Sequence, residues 1–268
     1  MAETSDRTTV VFVHGLWMHT STWEPWVDFF KSNGYDAINP PWPGDSPTVA
    51  ESRANPDAIA GHGITEVADH YAGIIAKLDK PPILIGHSFG GLIVQILLGR
   101  GVAAGAIAID PAPIKGVWQL PVSALRVASV ALKNPLNRKR AVSLSLKQFR
   151  YGFANAVSEK EASELFERTT IPAPGLPLFQ VAAASLNPKA ESRVDTANAT
   201  RGPLLLISGE SDHTVPPVLV KSAHKLYEAS SATTDFKSFP HRGHSLAIDH
   251  GWNEIADYSL EWTAQQGL

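Results

Sequence analysis

An apolar run, Ile83-Leu84-Ile85, leads directly into Gly86-His87-Ser88-Phe89-Gly90-Gly91, and a helical pattern follows through Leu98. A short, uninterrupted apolar run of this kind reads as a buried parallel strand, apolar on both faces. The glycines imply a turn between strand and helix so tight that a Cβ on a neighbour of Ser88 would collide with one or the other. Such a turn lifts the Ser88 hydroxyl clear of the backbone, in front of a helix N-terminus that favours negative charge. The pattern G-x-S-x-G is common by chance; the strand–turn–helix setting is what gives it weight.

The same change of period recurs along the chain. Strands are predicted at Val10–Val13, Asp36–Asn39, Pro82–Ile85, Ala106–Ile109, Leu204–Ile207 and Thr234–Phe239. Helices are predicted at Thr22–Ser32, Ile64–Leu78, Gly90–Leu98, Val218–Glu228 and Trp252–Ala264. This alternation implies an α/β fold with a parallel sheet covered on both faces. Residues 113–198 break the rhythm. They show helical patterns around Val122–Leu132, Arg140–Phe149 and Lys160–Thr169, no clear strand, and prolines at 172, 174, 177 and 188. A length of 268 residues suits one large domain with an insertion. The expected division is a core of residues 1–112 and 199–268, with a helical cap of residues 113–198 over the carboxyl edge of the sheet, where open α/β sheets bind ligands.

Composition removes several function classes. The formal net charge is −3, which argues against a nucleic-acid binder and gives no reason to expect an anionic membrane surface as partner. With no cysteine, thiolate zinc sites, iron–sulfur clusters, disulfides and a Cys nucleophile are excluded. Met1–Thr9 lacks the pattern of a secretory signal, and no apolar run approaches the length that spans a bilayer. The expectation is a soluble, cytoplasmic protein. His241 and His244 lie on a loop without a third ligand, so no metal site is expected. There is no phosphate-loop motif, and the glycines at 86, 90 and 91 have the wrong spacing for a dinucleotide fingerprint.

A serine hydroxyl needs a base, and the base needs an orienting carboxylate. Asp212 follows a late strand, just before Val215-Pro216, and His244 follows the last strand in Phe239-Pro240-His241-Arg242-Gly243-His244. With His14-Gly15 at the end of the first strand, these residues resemble the α/β-hydrolase fold family over Val10 to about Trp262, outside the cap. The resemblance implies a mostly parallel, twisted sheet of about six strands, because the N-terminal hairpin usual in the family has no room before Val10. It implies Ser88 as nucleophile, Asp212 as acid and His244 as base, with the backbone N–H groups of Leu16 and Phe89 as the oxyanion hole. Asp110, after the fourth strand, is an alternative acid, and Glu210 a weaker rival. His14 is expected to brace the oxyanion loop and His87 to pack or hydrogen-bond beneath the turn.

Trp17, Trp118, Phe149, Phe153 and Phe179 are candidates for the substrate pocket, whose apolar character favours acyl or aromatic substrates. Arg126, Arg150 and Arg242 are the cations available to a substrate carboxylate. The reading is a cofactor-independent, bacterial-type serine esterase acting on a small ester, lactone or thioester, as monomer or homodimer. Perhydrolase (haloperoxidase-like), carbon–carbon hydrolase, lyase and cofactor-free dioxygenase chemistries share the fold, as do non-catalytic ligand receptors.

Overall fold

A computed structural model describes residues 7–268; most of Met1–Thr9, the stretch read above for a signal, lies outside the described residues. The main sheet holds β1 (Thr9–Val13), β2 (Asp36–Ile38), β3 (Ile83–His87) and β4 (Gly105–Ile109), each within a residue or two of its expected span. Between β4 and β7 run β5 (Ala141–Val142) and β6 (Ala173–Pro174), a separate antiparallel ribbon. The main sheet is completed by β7 (Leu204–Gly209) and β8 (Thr234–Phe239). Its order is β2-β1-β3-β4-β7-β8, and every pairing in it is parallel. This is the six-stranded α/β-hydrolase fold that the sequence implied.

The helices are α1 (Glu24–Ser32), α2 (Val49–Ala54), α3 (Pro56–Ile59), α4 (Ile64–Ile75) and α5 (Phe89–Gly99), followed by α6 (Val122–Leu132), α7 (Leu146–Gly152), α8 (Glu159–Thr169) and α9 (Leu176–Ala182). After β7 come α10 (Pro217–Leu226) and α11 (Trp252–Gln265). Strand periodicity divides the core between the two faces of the sheet. Val11, Val13, Leu84, Ala106, Leu204 and Leu206 join one buried cluster with α4, α5 and α10. Val10, Phe12, Ile83, Ile85, Leu205 and Ile207 join the other, with Trp26 and Phe30 of α1 and Trp262 of α11.

Two expectations for the segment between β4 and β7 need correction. Arg140–Phe149 is not a helix: its first residues form β5, and α7 starts only at Leu146. The start is set by a capping box in which Ser145 accepts from Gln148 N–H and the Gln148 side chain accepts from Ser145 N–H. That signal is present in the sequence as Ser145-x-x-Gln148. The proline-punctuated stretch also holds α9, which tolerates Pro177 because it sits in the first turn, where its missing N–H costs nothing.

The turn between β3 and α5 is held as tightly as its glycines required. A Cβ on Gly90 would lie 2.0 Å from Val13 O, and one on Gly86 would lie 2.3 Å from Gly90 O. Gly90→Ala is therefore expected to destabilise the protein by about 2 kcal/mol or more. A Cβ on Gly73, in α4, would have nothing within 4 Å, so Gly73→Ala should stabilise the protein by about 0.5–1 kcal/mol. Thermal melts of the two variants should move in opposite directions.

Candidate active site

The loop ends of β1, β3, β4, β7 and β8 converge at the carboxyl edge of the sheet. Ser88 links β3 to α5 with φ +57° and ψ −120°, a region that non-glycine residues rarely adopt and that costs about 1–3 kcal/mol. Three hydrogen bonds hold it there. Ser88 N–H donates to Ile109 O at 2.9 Å, and Ser88 O accepts from Ala112 N–H at 2.9 Å and Leu92 N–H at 3.2 Å. Ser88 lines a cavity of about 400 Å³ with Trp17, Phe89, Trp118, Leu178 and Leu219.

Beside Ser88 runs the loop His14-Gly15-Leu16. A Cβ on Gly15 would sit 2.7 Å from Ser88 Cβ and 3.4 Å from Phe89 N, so only glycine lets this loop approach the turn. Neither Leu16 N–H nor Phe89 N–H donates to a protein acceptor among the described residues. His14 braces the loop, as expected. Its Nε2 lies 2.9 Å from Asp45 Oδ2 and its Nδ1 lies 2.9 Å from Gly15 O, while Trp42 Nε1 donates to His14 O at 3.0 Å. Asp45 has no sequence signal, because the pairing joins two loops on separate connections.

His244, on the loop after β8, and Asp212, on the loop after β7, are both buried. His244 Nδ1 donates to Asp212 Oδ2 at 2.6 Å. The other carboxylate oxygen of Asp212 accepts from Thr214 N–H at 2.6 Å and Val215 N–H at 2.8 Å. His244 Nε2 is buried and has no protein partner, Ser88 Oγ included. Phe153 packs edge-on against the His244 ring, with centroids 4.7 Å apart. His87 Nε2 donates to His244 O at 2.8 Å, and burial holds the His87 pKa well below the ordinary value, with the nearby His244 adding to the effect. His87 thus stays neutral and anchors the backbone of the loop that carries His244.

Asp110, the alternative acid, stands behind the same histidine. Its Oδ1 accepts from Gly209 N–H at 2.8 Å, and its Oδ2 lies 3.9 Å from His244 Nδ1 without a protein N–H donor. Burial pushes its pKa well above the carboxylate range, and the charge of Asp212 and a side-chain hydrogen bond to it push the same way. Neighbouring buried carboxyls resist joint ionisation, and of the two Asp110 is the one pushed towards its neutral form. His87, Asp110 and His244 each bring a possible ligand atom within 4.8 Å of the others. In both rings one nitrogen is already engaged, His87 Nε2 by a carbonyl and His244 Nδ1 by Asp212.

Other candidates separate. Trp17 and Trp118 line the cavity, but Phe149, Phe153 and Phe179 do not. Phe149 and Phe153 stack on one another at 5.3 Å and fill the space behind Trp17 and His244, while Phe179 faces the Arg138 guanidinium. Arg242 is committed to Asp249 and Glu254, Arg150 to Glu159, and Arg126 lies over the Tyr151 ring. Glu210 is exposed.

A model of the alpha/beta hydrolase family matches residues 10–258. The chain belongs to the alpha/beta hydrolase family. No curated protein sequence matches this hydrolase, but solved structures share its fold. A monoacylglycerol lipase from Paleococcus ferrophilus is 21% identical with a TM-score of 0.67, over 96% of this chain and 94% of that one. An extracellular alpha/beta-hydrolase from a Paenibacillus species is 18% identical with a TM-score of 0.69, over 95% and 98%. A thermophilic esterase from Thermogutta terrifontis is 19% identical with a TM-score of 0.66, over 98% and 92%.

The raised pKa of Asp110 ties the stability of this hydrolase to pH. A carboxyl whose folded pKa is raised contributes stability that is fully present below its unfolded value of about 4 and is lost as pH rises through the folded value. Asp110→Asn keeps the neutral shape without the titration. Its melting temperature relative to wild type should therefore rise as pH increases from about 4 upward, as thermal melts across that range will show.

Proposed function

We propose that this alpha/beta hydrolase is a cofactor-independent serine hydrolase acting on carboxylic esters with an apolar acyl or aromatic part. What supports the reading is the buried Asp212–His244 pair at 2.6 Å, whose Nε2 has no protein partner, together with the strained turn that carries Ser88. His244 Nε2 takes the Ser88 proton as Oγ attacks the carbonyl carbon, while the N–H groups of Leu16 and Phe89 receive the developing oxyanion. The alcohol leaves with the proton held on Nε2. Water then attacks the acyl-enzyme, with His244 again as base, and releases the acid. Each oxyanion donor is worth roughly 10²–10³ in rate.

Asp212 is the orienting acid in this scheme, because its carboxylate is the one in contact with Nδ1. Residues 113–198 form a cap that closes the pocket; Trp118, Leu178 and Val181 from this stretch line it. The lining is largely apolar, which suits an acyl chain or ring better than a charged group. The names of the lipase and esterase that share the fold agree with ester chemistry.

Hydrolysis of p-nitrophenyl acetate, butyrate and octanoate tests the proposal, with the chain-length profile sizing the pocket. Ser88→Ala should lose more than about 10³-fold in kcat, and a fluorophosphonate should label wild type at Ser88 alone. Wild type that neither turns over these esters nor takes the label would overturn the reading. Asp212→Asn should cost about 10⁴ in kcat, whereas Asp110→Asn should stay within a few-fold of wild type. The opposite order would make Asp110 the acid.

A further inference from the structure

The charge of this chain is unevenly distributed. Residues 113–150 hold eight of its 23 Lys and Arg and none of its 26 Asp and Glu, although the whole chain has a net charge of only −3. Lys133, Arg138, Lys139, Arg140 and Lys147 are all exposed. Among the described residues, Arg150 is the only one of the eight in an ion pair, with Glu159.

The same stretch carries most of the large apolar side chains that the fold leaves in water. Trp118 is 66% exposed, Leu120 74%, Val122 83% and Leu136 59%, and Leu125 and Leu146 are also exposed. Trp118, Leu120 and Leu125 belong to the wall of the cavity that holds Ser88. The apolar surface is therefore continuous with the pocket mouth. Helix α6 continues it, with Val122, Leu125, Arg126 and the following Lys133 exposed, while Val127 and Ala131 are buried. A helix that offers water both apolar and basic side chains is suited to the boundary between lipid headgroups and acyl chains.

We propose that residues 118–147 dock this hydrolase on the surface of an anionic lipid aggregate, with the mouth of the pocket turned towards it. Basic side chains are drawn to the negative headgroup layer, and the apolar ones enter beneath it. The acidic remainder of the chain is repelled, and this orients the molecule. The whole-chain charge, which gives no reason to expect a membrane surface as partner, averages this patch away. The aggregate is also a source of the apolar substrate proposed above, and in that part alone the docking rests on that proposal.

Co-sedimentation with phosphatidylcholine vesicles, with and without phosphatidylglycerol, tests the docking. Wild type should bind only the vesicles containing phosphatidylglycerol and be released by salt near 1 M, where charges are screened beyond about 3 Å. Arg138→Glu/Lys139→Glu should weaken that binding by at least about tenfold. Val122→Ser/Leu136→Ser should weaken it while leaving turnover of dissolved p-nitrophenyl acetate unchanged, since neither residue lines the pocket. Equal binding to neutral and anionic vesicles, or none to either, would overturn the proposal. So would a concentration-dependent dimer in solution abolished by Val122→Ser/Leu136→Ser, which would assign the surface to a second copy of the chain. Vesicle binding by a protein without esterase activity would uphold the docking and remove the ester chemistry.

Discussion

The site depends on a backbone conformation that Ser88 would not adopt by itself. At φ +57° the residue is strained, and what holds it is the close packing of α5 against the sheet. Gly90 lies against the Val13 carbonyl, Gly15 against the Ser88 side chain, and the Ser88 N–H is held by Ile109 at the end of the adjacent strand. The three parallel strands β1, β3 and β4 therefore each fix one side of the turn. Because the sheet is buried on both faces, the strain cannot relax by moving one element alone. The same packing brings Gly15 up against both the Ser88 side chain and Phe89 N, so the hydroxyl and the Phe89 N–H share one support.

Behind the histidine, burial sets the division of labour between two carboxyls. Asp212 accepts two backbone N–H bonds on one oxygen and the imidazole N–H on the other. Asp110 accepts only one N–H bond, and burial together with the nearby Asp212 pushes its pKa well above the ordinary value. Asp110, at φ +41°, keeps its Oδ2 3.9 Å from His244 Nδ1, whereas Asp212 Oδ2 lies at 2.6 Å. Choosing between two acids by position on the strands becomes, in three dimensions, a choice by the number of donors each one finds.

How much of this was legible in the sequence follows from what is local. The six strands, the G-x-S-x-G turn and the order Ser88, Asp212, His244 are short-range patterns; the strands form at their expected positions, and Asp212 meets His244 across the loops after β7 and β8. The segment between β4 and β7 is less legible. Its helices α6 and α8 stand at their expected positions, but β5 and β6 are two residues each, too short to leave a period. Phe149 and Phe153 have the composition of pocket residues and the environment of core ones, and spacing cannot distinguish these. Asp45 under His14 and the carbonyl of His244 on His87 are contacts across distant loops, and no one-dimensional pattern contains them.

The loop after β1 and the segment between β4 and β7 are not independent parts. Trp17 takes φ +65°, donates its indole N–H to Val142 O at 2.8 Å and accepts Ile171 N–H at 3.0 Å. His19 N–H donates to Thr169 O, so the strand-like pairing continues on both sides of Met18 and Thr170. The indole that walls the pocket therefore also ties β5 to the loop after β1. Movement of residues 140–142 would be felt at Trp17 before it reached Ser88. Because Arg138, Lys139 and Arg140 lead directly into β5, a surface that engages those charges is mechanically connected to the loop that would hold the oxyanion.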